Sequence, residues 1–242
     1  MEMEHPTAGE ILAIFRRVRE AYFERTDGKP ESLDMPLRVY KGLEFKGSVA
    51  GEFIDGVESF LGITIPEAEV KALPGDPTVR DFYTLVASHV KLPRITSVEE
   101  AWPALLAELR RRGPKVAWPS ADALLEPVAA RNHDELQRAV IVLSRGRMHL
   151  PQPIYPRWSS ITAAVGMTGF AAGGITFLAL AIGGVKAPLP ILAAWGFAGV
   201  GMMISVLGPR LAVRRGEVHI HAPWKTLGEL AAAIFATLRP PS

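Results

Sequence analysis

GLEFKGSVAGEFIDGVESFLGITIP, residues 42–66, is the stretch on which the fold turns. From Ala50 onward Phe53, Ile54, Val57, Phe60 and Leu61 recur at intervals of three and four. That spacing gathers them on one stripe of an α-helix. Glu52, Asp55 and Glu58 fall outside the stripe and give the helix an acidic outer face. Gly51 and Gly56 weaken it, each by about 1 kcal/mol relative to alanine in a helix interior. The helix ends in Gly62-Ile63-Thr64-Ile65-Pro66, because a proline disfavours the helical conformation in the residue before it.

The flanks read as companions of this helix. Upstream, Thr7 with Glu10 makes a capping box, and Ile11, Ile14, Phe15, Val18 and Tyr22 repeat at helical spacing behind it. TDGKPES, residues 26–32, breaks that helix, and a loop runs on to about Lys46. Downstream, a short helical segment fits around residues 67–73. Thr78 with Asp81 then caps a helix whose stripe is Val79, Phe82, Tyr83, Val86 and Val90. Three substantial helices and a short one, with a long first loop, predict a small orthogonal bundle over residues 1–92.

The acidic helix, the run Leu61-Gly62-Ile63-Thr64-Ile65-Pro66 and the helix opening at Thr78-Val79 together resemble an acyl carrier protein over about residues 8–91. In that family a serine at the start of the second helix, in an Asp-Ser-Leu setting, bears a 4′-phosphopantetheine arm. Counting back without a gap from Ile65-Pro66 puts the serine slot at Gly47, with Lys46 in the place of the aspartate and Ser48 one residue further on. Glycine has no hydroxyl to carry the arm. KGSVAGEF is similar to a group of small carrier-like proteins that also have glycine at this slot. The resemblance therefore implies a degenerate carrier with no cofactor, meeting protein partners through Glu52, Asp55 and Glu58. The alternative it leaves open is a true carrier modified with 4′-phosphopantetheine on Ser48.

A second feature stands apart. Between Trp158 and Pro209 the only charged residue is Lys186. Residues 161–185 and 188–207 form two apolar runs separated by GGVKAPLP. Each run exceeds or matches the roughly 20 helical residues that cross a hydrocarbon core of about 30 Å. Neither shows the polar face of a surface helix. A two-helix transmembrane hairpin is predicted over residues 158–209. Arg145, Arg147 and Arg157 precede it and Arg210, Arg214 and Arg215 follow it, so the positive-inside rule puts both termini in the cytoplasm and the hairpin in the inner (cytoplasmic) membrane. Gly169 with Gly173, and Gly201 with Ser205, are small-xxx-small pairs that suit close helix approach. No ionisable residue lies within either run, which argues for an anchor rather than a transport path.

The remaining segments predict a helical linker region over 93–157 and a cytoplasmic tail over 210–242. Ser97 with Glu100 suggests a cap ahead of AWPALLAELRRRG, where Pro103 would kink the helix or shift its start. Residues 120–144 read as further helix, interrupted near Pro127 and restarted by Asn132 with Glu135. RRRGPK, residues 110–115, is the densest basic cluster; cations at a helix C-terminus explain it better than contact with lipid or an acidic partner. In the tail, GEVHIHAP alternates like a short strand with His219 and His221 on one face, and Thr226 with Glu229 caps a last helix. Two histidines are too few for a metal site, so none is expected.

Composition sets the outer limits. The 242 residues carry a formal charge of +2, which gives a nucleic-acid partner no support. Residues 1–92 hold 16 acids and 11 bases, a net of −5, and residues 93–242 hold 9 acids and 16 bases, a net of +7. Opposite signs suit two environments. The absence of cysteine removes disulfides, thiolate ligands and thiol nucleophiles. The acidic, polar start MEMEHPT does not read as a secretory signal. No phosphate-binding loop, GxSxG elbow, HExxH or dinucleotide fingerprint occurs, so no catalytic residue is assigned. The expectation is a mainly α, membrane-anchored, non-enzymatic protein with membrane lipid and a cytoplasmic protein as partners. A small membrane assembly subunit is a further alternative.

Overall fold

The computed structural model describes residues 2–23, 31–37, 51–112, 116–182 and 188–239. Among them the chain is mainly helical, with ten helices and two very short strands. By contacts it divides into two compact units. One comprises Met1–Val128, Asn132–Gln152 and Ala222–Ser242; the other comprises Ala129–Arg131 and Pro153–His221.

The first unit is built on α1 (Ala8–Phe23), α2 (Gly51–Leu61), α3 (Glu67–Lys71) and α4 (Val79–His89). Their stripes meet in one core: Ile11, Ile14, Phe15 and Val18 of α1, Val57, Phe60 and Leu61 of α2, and Phe82, Tyr83 and Val86 of α4. Phe15 stacks on Tyr83 at 5.7 Å between ring centroids and tilts against Phe60 at the same distance. Both expected caps form. Thr7 and Thr78 each accept the backbone N–H three residues on, and the carboxylates of Glu10 and Asp81 reach back to the cap N–H at 2.8 Å. The strands β1 (Met3–Glu4) and β2 (Leu92–Pro93) pair antiparallel and close the ends of this segment together.

The same core continues beyond residue 92. Helices α5 (Val98–Arg112), α6 (Leu125–Arg131) and α7 (His133–Leu143) follow, and Ile141 and Val142 of α7 lie in the cluster with α1, α2 and α4. The last helix, α10 (Leu227–Leu238), packs on α5, and α5 on α7. Backbone bonds from Leu125 to Lys225 and from Leu227 to Ala123, 2.8 and 3.1 Å, fasten the tail to the segment before α6. The four segments expected from sequence are thus grouped differently here. Residues 1–92, most of the 93–157 region and the end of the tail share one packed unit, because the apolar faces of α7 and α10 have their partners there.

Helix α7 ends in a Schellman turn. Arg145 N–H donates to Val142 O and Gly146 N–H to Ile141 O, with Arg145 and Gly146 at φ 54° and 75°. Arg145 tolerates the left-handed conformation because its buried guanidinium pairs with Glu4 and, at 3.0 Å, with Glu10. Burial pushes the Glu10 carboxyl up, but the Thr7 N–H and the Arg145 charge outweigh that and hold it below its ordinary value.

Two expected caps differ. Glu100 accepts from the N–H and hydroxyl of Thr96, at 2.7 and 2.8 Å, as well as from the backbone of Ser97, so its carboxylate reaches one residue beyond the expected partner. Asn132 makes no side-chain cap for α7; its amide donates back to Val128 O at 3.3 Å. Pro103 stands inside α5, and Pro127 falls in the first turn of α6, where a missing N–H costs no helix bond.

The second unit is dominated by α8 (Arg157–Ile182) and α9 (Pro188–Arg214). They run antiparallel in close contact along their lengths: Gly208 faces Thr162, Gly201 faces Gly166 and Gly169, and Trp195 meets Phe177 at 5.3 Å. Residues 183–187, including Lys186, lie outside the described residues.

Candidate functional site

The first candidate is the acidic face of α2. Gly62, at φ 66°, ends this helix, and its N–H and that of Ile63 both donate to Glu58 O. The reversal brings the Ile65 N–H onto the Glu58 carboxylate. Glu58 is therefore half-buried and occupied, while Asp55 is exposed. The side chain of Glu52, and Lys46, Gly47 and Ser48 altogether, lie outside the described residues.

The basic cluster at the end of α5 serves α2. Arg112 donates to Phe60 O at 2.7 Å and Arg111 to Leu61 O at 3.1 Å, so two guanidinium groups satisfy the last carbonyls of α2 where its dipole is negative. Both arginines also bind buried Glu108 at 2.7 Å. Burial pushes the Glu108 carboxyl up, yet the arginine bonds and charges prevail and hold it below its usual range. That stabilisation is full above the ordinary glutamate value and is lost as pH falls through the lowered folded value. The rings complete the joint: Arg112 and Arg138 lie 5.5 and 5.8 Å from the centroid of Phe60. Arg110 remains exposed. The sequence reading saw cations on a helix end but not that they serve a second helix; Glu108, three and four residues before Arg111 and Arg112, was the available signal.

The second candidate is the hairpin. Among the described residues one helix, α8 over Arg157–Ala179, is long and apolar enough to cross a membrane, and only 11% of its most apolar window is buried within the protein. Its outward residues include Ile161, Val165, Met167 and Ile175, the last 70% exposed; on α9, Met202 and Met203 are likewise exposed. The inward seam is made of small residues. A Cβ on Gly201 would lie 2.4 Å from Phe170 N and 2.7 Å from Gly166 O, and one on Gly166 would lie 2.4 Å from Ser205 N. The backbones touch because no side chain intervenes. Gly169, Gly201 and Ser205 of the expected pairs lie at or beside this seam, and Gly173 is buried.

One end of the hairpin carries a set that the sequence reading missed. Trp158 Nε1 donates to Glu217 at 2.7 Å, and the Arg215 guanidinium lies 5.5 Å from the Trp158 ring centroid. A Schellman turn at Gly216 (φ 68°), with Glu217 N–H on Ala212 O, ends α9 and aims Glu217 back at the tryptophan. Trp195, level with Phe177, marks the other end. Nineteen residues separate Trp158 from Phe177, a rise of about 28 Å at about 1.5 Å per residue. Trp158 precedes the first apolar run and Trp195 lies within the second, positions that sequence alone offers.

His219 and His221 are exposed and alternate with buried Val218 and Ile220, and His219 bridges Ile154 through two backbone bonds of 2.7 and 3.1 Å. Among the described residues no three metal-ligating side chains gather. No family model, characterised protein or solved structure matches this chain.

Proposed function

We propose that this chain is a non-enzymatic membrane-anchored protein, held by two transmembrane helices, that presents a carrier-like helical domain to a cytoplasmic protein partner. The observation that carries the reading is the outward apolar surface of α8 and α9, which is exposed among the described residues and which water disfavours by about 25 cal/mol per Å². The tryptophans about 28 Å apart along the helix rise agree with the thickness of a hydrocarbon core.

Chain path favours two crossings over one. The segments before and after the hairpin, Asn132–Gln152 and Ala222–Ser242, belong to one packed unit. A folded unit cannot be divided by a bilayer, so an even number of crossings must separate them. The arginines at Arg157, Arg210, Arg214 and Arg215 favour the cytoplasmic side for that unit.

The Ile154–His219 bridge supplies the test. Hydrogen-bonded antiparallel partners have Cα atoms about 5.5 Å apart. Residues 155–218 can therefore be excised and replaced by an Asn-Gly turn without separating the ends. The full chain should stay with membranes through an alkaline carbonate wash, and the excised protein should move to the soluble fraction with its helical circular dichroism retained. A full chain released by carbonate would sink the anchor.

The carrier-like domain is proposed to work by contact, without a prosthetic arm, because Gly47 stands at the slot. Co-expressed with a broad phosphopantetheinyl transferase, the wild-type chain should keep its unmodified intact mass. An added arm that Ser48→Ala abolishes would instead make it a true carrier.

A further inference from the structure

Resting on the membrane reading, we propose that the end of the hairpin formed by the start of α8 and the finish of α9 binds the phosphate headgroups of anionic lipids. Four arginines gather there: Arg157 opens α8, Arg210 and Arg214 lie in the last turns of α9, and Arg215 follows. They belong to one end because Gly208 faces Thr162 and Ser159 O, and Arg215 lies over Trp158. All four are exposed. The one acid in this set, Glu217, is engaged by the indole N–H of Trp158, and among the described residues Arg157, Arg210 and Arg214 pair with no carboxylate.

Helix electrostatics separates this cluster from routine capping. Arg210, Arg214 and Arg215 suit the negative end of α9. Arg157 does not suit its place: it sits in the first turn of α8, at the positive end of that dipole, where no acid accompanies it. An anion at this end answers the arginines and suits the positive end of the α8 dipole. Position identifies its source. The cluster begins where the apolar surface ends, beside a tryptophan held by Glu217, and that is the level of lipid headgroups. Basic residues there attract anionic lipid by roughly fivefold each at moderate ionic strength.

The test is lipid selectivity of the full chain in bilayers. Spin-labelled phosphatidylglycerol and spin-labelled phosphatidylcholine are compared at equal loading by the motionally restricted component of their electron spin resonance spectra. The wild-type protein should favour phosphatidylglycerol at least threefold. The triple substitution Arg210→Gln, Arg214→Gln, Arg215→Gln should bring the ratio close to one while leaving helical circular dichroism unchanged. Equal association of both lipids with the wild type, or selectivity that survives the triple substitution, would overturn the proposal. Selectivity suppressed by inorganic phosphate, but not by chloride of the same ionic strength, would assign the site to a free phosphate and overturn the lipid assignment. No restricted component with either lipid would sink the membrane reading itself, and this proposal with it.

Discussion

Replacing Gly146 by alanine should destabilise the protein by about 2–5 kcal/mol. Two costs add at this position. The backbone holds φ at 75°, and a side chain in the left-handed region costs about 1–2 kcal/mol. The new Cβ would also lie 2.3 Å from Ala13 C, 2.4 Å from Ala13 O and 2.5 Å from Ile14 N. Those are backbone atoms of α1 and cannot swing aside as a side chain would, so overpacking adds about 1–3 kcal/mol. Relief would require the turn after α7 to move. That would pull Gly146 O from Arg17 Nε and Arg145 from Glu4 and Glu10. Gly75→Ala is the matched control, since a Cβ there meets nothing within 4 Å. Thermal unfolding of the detergent-solubilised chains, followed by circular dichroism, should separate the two variants by many degrees. Equal midpoints would mean that α7 does not dock on α1 through this turn.

The second large effect belongs to the seam of the hairpin. Gly201→Leu puts a side chain where a single Cβ already falls 2.4 Å from Phe170 N, 2.7 Å from Gly166 O and 2.8 Å from Gly169 C. The helices would have to separate toward the 8–10 Å spacing of ordinary helix pairs. Their backbone contact would be lost, along with the fit of Gly208 against Thr162. The same substitution at Gly199 meets open space and should be harmless. Engineered cysteines at Phe177 and Trp195, whose rings lie 5.3 Å apart, should cross-link efficiently in the otherwise wild-type chain and in Gly199→Leu. Gly201→Leu should cut the yield severalfold. Equal yields in both variants would place the helix contact elsewhere.

What could be read in the sequence was local. The caps at Thr7, Thr78 and Thr226 each rest on residues three apart, so a short motif suffices. The apolar runs after Trp158 declare themselves by composition. What escaped depends on long-range closure. Ile141 and Val142 pack with α1 from some 130 residues away, and no periodicity says which helix a stripe will meet. Arg145 in a left-handed turn breaks the glycine rule, and the reason, its pairing with Glu4 and Glu10, exists only after folding. The same holds at the candidate site. Glu58 reads as an outer-face acid until the reversal at Gly62 turns the Ile65 N–H onto it. Arg111 and Arg112 read as surface charge until α5 meets the end of α2. The resemblance around Gly47 and Ser48 concerns residues outside those the structure describes.

The central claim is a hairpin that crosses a membrane twice and leaves one folded unit on one side. The chain has no cysteine, so single cysteines can be placed without removing any. Ala72 and Ala236 are exposed on the first unit, on either side of the hairpin in sequence, and Lys186 lies between the helices. A membrane-impermeant maleimide applied to intact cells should label Lys186→Cys and spare Ala72→Cys and Ala236→Cys, with both of the latter labelled once the membrane is opened. Labelling of Ala72→Cys or Ala236→Cys in intact cells, or protection of Lys186→Cys there, would contradict the account.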